Sequence, residues 1–382
     1  MKIYDVIIIG SGASGLMFAS NLKRSMDVAL IDTNDKCAKK LKISGGGKCN
    51  ITNKYVDVNK FDGDRSMIQN VLKDFGRDEM LGFLKQNKIT LELRKQRYYF
   101  CKHSSNQIID LLKKNTSYAK TYLDTKVTQV LKLGDLFEVH STKGILKSRR
   151  VVVASGGESF KNIGGSDIGL QIAKSFEIAY KNFTPALVGL TVQKDQFWMK
   201  ELSGLSCYVK ISVDDRMIEE EMLFAHKGIS GPAILSASLY WKKGNLSIDF
   251  LPKHKIQDLI KNTKKQISSV IPLPKRLARS ILKALDVEDV ECKKIDQQTY
   301  KKLLNIHNYT FAPAGNFGFS KAEASRGGIL AEELNEETFE SKKVDKLYFI
   351  GEVVDVTGEL GGYNFQWAFA SAIKCAQNFN RG

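Results

Sequence analysis

Residues Lys2 to Ile9 are mostly apolar and β-branched, the pattern of a strand buried on both faces. Gly10 to Gly15 interrupt that run. Leu16, Met17, Ala19 and Leu22 then recur at helical spacing to about Arg24, and Val28 to Ile31 form a second apolar run that stops at Asp32. The pattern predicts a β-α-β unit, with parallel strands and a right-handed crossover.

Farther along, Ser44 to Asn53 reads as a glycine-rich loop and about Ser66 to Lys88 as mixed helical sequence. Arg94 to Phe100 predicts a strand and Ser105 to Lys114 a helix. Thr121 to Arg150 alternate around Gly134 and Gly144 as hairpins do. Val151 to Ala154 is another buried strand, halted by Gly156 and Gly157, and Ser166 to Phe176 is a helix. After Pro185 the texture changes. Residues 189–250 alternate polar and apolar around turns, as antiparallel strands do, while 254–306 carry Leu and Ile at three- and four-residue spacing between lysines. Residues 308–332 look strand-like. Lys346 to Ile350 restores the buried-strand pattern, before a last helix to about Asn378. The simplest organisation is a nucleotide domain interrupted by an insert, with the chain returning to complete the first sheet.

Gly10-Ser-Gly12-Ala-Ser-Gly15 matches the GxGxxG fingerprint in its required setting, after a buried strand and opening a helix. Gly10 permits the tight turn, Gly12 lets a pyrophosphate approach the backbone, and Gly15 lets the helix pack on the sheet. Ala13 and Ser14 then lie at the helix N-terminus, where free N–H groups favour phosphate. Asp32 ends the second strand, where its carboxylate suits the ribose hydroxyls of an adenosine and repels a 2′-phosphate. Alone, the fingerprint does not separate FAD from NAD.

Composition narrows the class. With 382 residues, 43% hydrophobic and 26% charged, the chain is of ordinary globular make-up and long enough for two or three domains. No apolar run approaches the roughly 20 residues of a membrane span. The apolar start runs into GSGASG rather than a cleavage site, so a cytoplasmic protein is expected. The six cysteines are scattered without a CxxC pair, and the five histidines lack HxxxH spacing, so neither a disulfide framework nor a metal site is expected. The net charge of +16 suits RNA, DNA or anionic lipid, yet the lysines fall along the whole chain, often as pairs such as Lys113-Lys114. With no basic tail and no nucleic-acid module, the charge reads as compositional bias and nucleic acid as the alternative.

Three further segments favour FAD. Lys40 to Asn53 contains Ser44, then Gly45-Gly46-Gly47, then Lys48, Cys49 and Asn50; three glycines in a row suit a backbone lying against a planar ring or a phosphate. Val151 to Gly157 is a strand ending in small residues, Ala154, Gly156 and Gly157 among them. Phe349 to Gln366 ends by starting a helix, whose amides suit the negative edge of a reduced flavin.

With these segments the sequence resembles the BaiN-like (YhiN-like) flavoprotein family, also labelled an aminoacetone oxidase family. Its motifs read SGGGRCNxTN, HxGxSGPAxL and GExLDxxGxxGGYNxQ, and appear here as Ser44 to Asn53, His226 to Leu235, and Gly351 to Gln366. Lys48 stands where the family usually has Arg, keeping the charge and losing the bidentate fork. The resemblance implies an α/β fold: an FAD-binding Rossmann domain (1–190 and 331–382), a β-barrel-like insert (191–253 and 307–330) and a helical subdomain (254–306). It also implies that Gly10 to Gly15, Asp32, Lys40, Ser44 to Asn50, Val127, Ala154 to Gly157, Gly351, Glu352 and Gly362, Tyr363 and Asn364 line the cofactor.

Two residues are candidates for chemistry. Cys49, inside the glycine loop, is either a thiolate exchanging electrons with flavin or a small packing residue. His226, in AHKGISGPA, is either a general acid or anion binder or a loop-stabilising histidine. The expected activity is hydride transfer between FAD and a small organic substrate held between the Rossmann domain and the insert. Reduction of a conjugated C=C bond is the first choice. Oxidation of an amine and a tRNA-associated flavoprotein are the alternatives. No second strand–GxGxxG–helix unit is present, so NAD(P)H enters only as a transient donor reaching the flavin through the substrate cleft.

Overall fold

Five short parallel strands form the central sheet: Val6–Ile9, Val28–Ile31, Lys120–Tyr122, Val151–Val153 and Leu347–Phe349. Numbered in chain order they lie 3-2-1-4-5, so the order reverses between Val6–Ile9 and Val151–Val153. In such sheets ligands bind at the carboxyl ends of the strands, at the point of reversal. The structure, a computed structural model, describes residues 2–261 and 263–380.

The apolar runs form strands because they are buried on both sides, Val6 to Ile8 and Val151 to Val153 being fully enclosed. One cover is the helix Ala13–Ser20 and another is the last helix, Tyr363–Phe379, with Phe18 and Phe379 in T-shaped contact at 5.2 Å. That aromatic contact contributes about 1 kcal/mol beyond its buried area. A second sheet combines Ile3–Tyr4 with the meander Val127–Leu133, Leu136–Ser141 and Gly144–Ser148, as the alternation around Gly134 and Gly144 predicts.

Two local expectations need correction. Arg94 to Phe100 is not one strand but the hairpin Leu91–Arg94 and Tyr98–Cys101, because Lys95 and Gln96 adopt positive φ and turn the chain. The glycine-rich segment is a loop only as far as Cys49. Asn50–Asn53 is a strand that joins this hairpin in a three-stranded sheet, Asn50 facing Phe100.

By contacts the chain divides into two units, residues 1–185 with 323–382, and residues 186–322. The second unit holds the sheet Tyr309–Phe311, Leu246–Asp249, Ser206–Val213, Arg216–Ala225, Gly228–Ser230, Leu190–Val192 and Pro313–Asn316, in that spatial order. The two edge strands are consecutive in sequence and separated only by Ala312. Flat, seven strands would hold those edges about 29 Å apart, and a one-residue link spans less than about 8 Å. The sheet therefore curls round on itself as a barrel does. Residues 231–240 form a helix that packs on this sheet, and 254–306 supplies short helices of which Lys275–Ala284 is the longest among the described residues. No helix among the described residues is long and apolar enough to cross a membrane.

Candidate functional site

The fingerprint turn lies at the point of strand reversal. A Cβ on Gly10 would sit 2.3 Å from the Ala154 carbonyl oxygen, and one on Gly15 would sit 1.9 Å from the Gly10 carbonyl oxygen. Only glycine allows the two strand ends and the helix to approach so closely. Gly12 differs: it caps the helix Ala13–Ser20, and a Cβ there would meet no protein atom within 4 Å. The tight side of the turn faces protein and the open side leaves room for a ligand at a helix N-terminus.

Asp32 stands at the end of the second strand, and the fingerprint orients it. Its Oδ2 accepts from the Ser11 backbone N–H and from Ser11 Oγ, both at 2.7 Å, while Oδ1 accepts from the Asn34 N–H and side-chain amide, both at 2.9 Å. Thr125 N–H donates to the Asp32 carbonyl at 2.9 Å and draws the segment leading to Val127, which is buried, alongside the acid. The sequence reading counted Ser11 only within Gly10 to Gly15 and not as the partner of the acid, because x positions of the motif are treated as free. Its proximity to an acid 21 residues away is visible only after folding.

The glycine loop is a left-handed run. Gly45, Gly46 and Gly47 have φ of 56°, 66° and 82°, and Cys49 follows at 47°. Ser44 Oγ donates to the Leu41 carbonyl at 2.8 Å and the Cys49 N–H to the Ser44 carbonyl at 3.0 Å, which closes the loop. Phe100 packs beneath it, 2.8 Å from where a Gly45 Cβ would lie, whereas Gly46 faces open space. Cys49 is fully buried, and burial pushes its thiol far above the ordinary range. At neutral pH it is a neutral thiol, as suits a packing residue. Lys48, half-exposed, has its ammonium 3.7 Å from Glu92.

The returning segment meets this loop. Lys40 Nζ donates to both oxygens of Glu352, at 2.7 and 3.0 Å, and Glu352 Oε1 also accepts from the Ser325 N–H at 2.9 Å. Gly156 and Gly157 lie beside the same carboxylate, a Cβ on either falling 3.5–3.6 Å from it. Gly351 is held at both ends by the last helix: its N–H donates to Ser371 Oγ, and its carbonyl accepts from Trp367 Nε1, each at 3.1 Å. Its Cβ position lies 2.5 Å from Ser14 Oγ, so it presses on the fingerprint helix.

Gly362 caps the last helix against the Thr52 backbone, and buried Tyr363 donates from its hydroxyl to the Tyr55 carbonyl at 3.2 Å. Asn364 clasps Gly358 through paired 2.9 Å bonds. Gln366 accepts from Thr52 Oγ1 at 2.6 Å and donates to the Phe75 carbonyl at 2.8 Å. Trp367 and Ser371, four apart on one helical face, and Ser325 are supports that sequence reading missed. The spacing of the first two was the one available signal.

The first unit thus brings together the fingerprint, the glycine loop, the Ala154–Gly157 turn and the Gly351–Asn364 segment. Their fit to FAD rests on glycines whose missing side chains leave open space, at Gly12 beside a helix N-terminus and a fixed acid, and at Gly46 in the glycine loop. His226 belongs to the second unit, at the exposed two-residue turn between Arg216–Ala225 and Gly228–Ser230.

Comparison with known proteins identifies the family. Residues 4–378 match the family described as HI0933-like protein Rossmann domain. A ribosomal RNA dihydrouridine synthase of Haemophilus influenzae is 34% identical, over 98% of each chain. A 3-dehydro-bile acid delta(4,6)-reductase of Clostridium scindens is 28% identical, over 95% of this chain and 96% of its own. Among solved structures, a 3-ketosteroid-delta4-(5alpha)-dehydrogenase of Rhodococcus jostii shares the fold, with a TM-score of 0.51 at 11% identity over 98% and 96% of the two chains. The chain belongs to the HI0933-like Rossmann family and is an FAD-dependent oxidoreductase.

Proposed function

We propose that this chain is an FAD-dependent reductase of a carbon–carbon double bond conjugated with a carbonyl, and that the bond is the C5=C6 bond of a uridine in RNA. The observation that carries the reading is chemical kinship between two differently named relatives. A dihydrouridine synthase saturates a bond conjugated with the uracil C4 carbonyl, and a delta(4,6)-reductase of a 3-dehydro-bile acid saturates bonds conjugated with a 3-ketone. The RNA substrate is favoured by the higher identity of the first relative and by the +16 charge.

FAD, when bound, supplies hydride to one carbon of that bond. The chain's own residues hold and polarise. The N-terminus of the seventeen-residue last helix offers free N–H groups to negative charge on the flavin, and Gly12 to Ser14 offer theirs to the pyrophosphate. Lys48 is the cation for an anionic oxygen of cofactor or substrate. His226 is the candidate acid for the second carbon, a role worth roughly 100- to 10,000-fold in rate. NAD(P)H is the candidate donor that reduces the flavin.

The test is anaerobic. The flavin is reduced by light, then mixed with a uridine-containing RNA or a steroid enone, while a separate sample of oxidised enzyme is mixed with a primary amine. Flavin reoxidation with RNA, together with a gain of two hydrogens in the digested uridine, is the expected result. Reoxidation by the enone alone moves the reading to small molecules. Reduction of oxidised flavin by the amine refutes it.

A further inference from the structure

The positive charge, scattered when read along the chain, is concentrated by folding. Residues 36–56 carry six lysines and no acid, and residues 88–106 carry five basic residues and the single acid Glu92. The two segments are stitched together along their length. Lys54 N–H donates to the Arg97 carbonyl at 2.8 Å, Cys101 N–H to the Lys48 carbonyl at 2.9 Å, and Ser105 N–H to the Gly47 carbonyl at 2.9 Å. On the glycine loop and the sheet beside it, residues 44–54 and 91–102, six cations (Lys48, Lys54, Arg94, Lys95, Arg97 and Lys102) therefore stand with the single acid Glu92.

This sheet has two kinds of surface. Phe100 and Tyr98 pack under the glycines of the site, at the Cβ positions of Gly45 and Gly361. Around them, Arg94 stacks on Phe100 and Arg97 on Tyr98, each at 4.6 Å, and Lys95 lies exposed at the hairpin turn. Glu92 is shared between Arg94 at 2.8 Å and Lys48 at 3.7 Å. Next to them the Tyr55 ring is 56% exposed, with the Lys54 ammonium 5.6 Å from its centre.

We propose that this basic sheet is the surface on which single-stranded RNA is held: cations along Lys54, Arg94, Lys95 and Arg97 take the phosphates, and the exposed Tyr55 ring offers a base a stacking platform. Cations along a strand's path, interleaved with an aromatic face, are the arrangement that binds single strands. Its position is significant because the wall of the flavin cradle and the charged surface are the same sheet. The inference rests on the RNA substrate of the proposed function.

Binding of a short uridine-rich RNA to the FAD-loaded protein is measured by fluorescence anisotropy across a salt series. Lys54→Glu with Lys95→Glu is expected to weaken affinity at least ten-fold at about 0.1 M salt and to flatten the log–log salt slope by about 1.4, two phosphate contacts at roughly 0.7 each. Lys264→Glu with Lys265→Glu, the same charge change on exposed residues of the second unit, is expected to change affinity less than about two-fold. Tyr55→Ala is expected to weaken binding with the slope unchanged. Flavin absorbance reports that each variant keeps its fold, and Lys54→Gln with Lys95→Gln replaces any reversal that does not. Equal loss in both reversals, or none in the first, overturns the surface. Because binding is read without turnover, RNA held here but never reduced refutes the reaction and keeps the surface. Flavin reoxidised by RNA whose affinity ignores Lys54 and Lys95 does the opposite.

Discussion

Lys40 and Glu352, 312 positions apart in sequence, form an ion pair in which both carboxylate oxygens lie within 3.0 Å of the ammonium. The pair ties the lead-in to the glycine loop to the segment that returns after the insert, and Ser325 and two glycines crowd the same carboxylate. The lysine side chain is 35% exposed, so water screens the pair and its contribution is about 1 kcal/mol. Glu352→Gln is expected to weaken FAD retention roughly ten-fold, measured by flavin release on dilution. Equal retention in wild type and variant contradicts this.

Gly12 and Gly15 are expected to fail in different ways. Gly15→Ala drives a methyl into the Gly10 carbonyl and should cost about 2–3 kcal/mol of apoprotein stability. Gly12→Ala meets no protein atom within 4 Å, so the apoprotein should melt as wild type does while FAD affinity falls. Melting the two variants with and without FAD separates lost packing from lost ligand space.

Burial sets the order in which thiols react. Cys49 is enclosed and its thiol is held neutral, so iodoacetamide at neutral pH should leave it intact in the FAD-loaded protein and modify the more accessible Cys37 first. Peptide mass mapping decides. Cys101, also buried, is pushed up to about 11 from an ordinary 9.0. A proton held more tightly by the folded state stabilises it fully below the ordinary thiol pKa. That contribution is lost as pH rises from about 9 toward 11, because the unfolded thiol ionises first. Cys101→Ala should flatten this alkaline part of the stability profile.

Lys374 is a cation inside the last helix, 1% exposed, paired with Asp74 and with Glu337 at 2.9 Å. Its carboxylate partners reach solvent, so removing the lysine leaves neither of them stranded. Lys374→Met is therefore expected to cost about 1–3 kcal/mol, less than breaking a fully enclosed pair, and urea unfolding measures it.

The parallel core was legible because strands buried on both faces, such as Val6 to Ile9 and Val151 to Val153, carry unbroken apolar runs that resemble little else. The cradle was legible at its glycines, since backbone that must approach a ligand or adopt positive φ requires glycine itself. Its supports were not. Ser11, Ser325, Trp367 and Ser371 act through hydrogen bonds to residues distant in sequence, and no local pattern marks such partners. The adjacency of the two basic segments was hidden for the same reason: some fifty residues apart, they look dispersed until Asn50–Asn53 pairs with Tyr98–Cys101. The hairpin at Lys95 and Gln96 was missed because neither residue advertises a turn as glycine or asparagine would.

The chain leaves the first unit along Tyr180–Ala186 and comes back along Ala324–Ile329, and these strands are neighbours in a two-stranded sheet, with Leu330 N–H donating to the Ala179 carbonyl. Departure and return are therefore already the two arms of a hairpin, whatever is spliced between them. Such a junction works as a cassette port. The flavin-holding frame can keep its covalent continuity while the spliced module is exchanged, lengthened or replaced by a short turn, so relatives with this frame are free to diverge in the module without rebuilding the cofactor cradle.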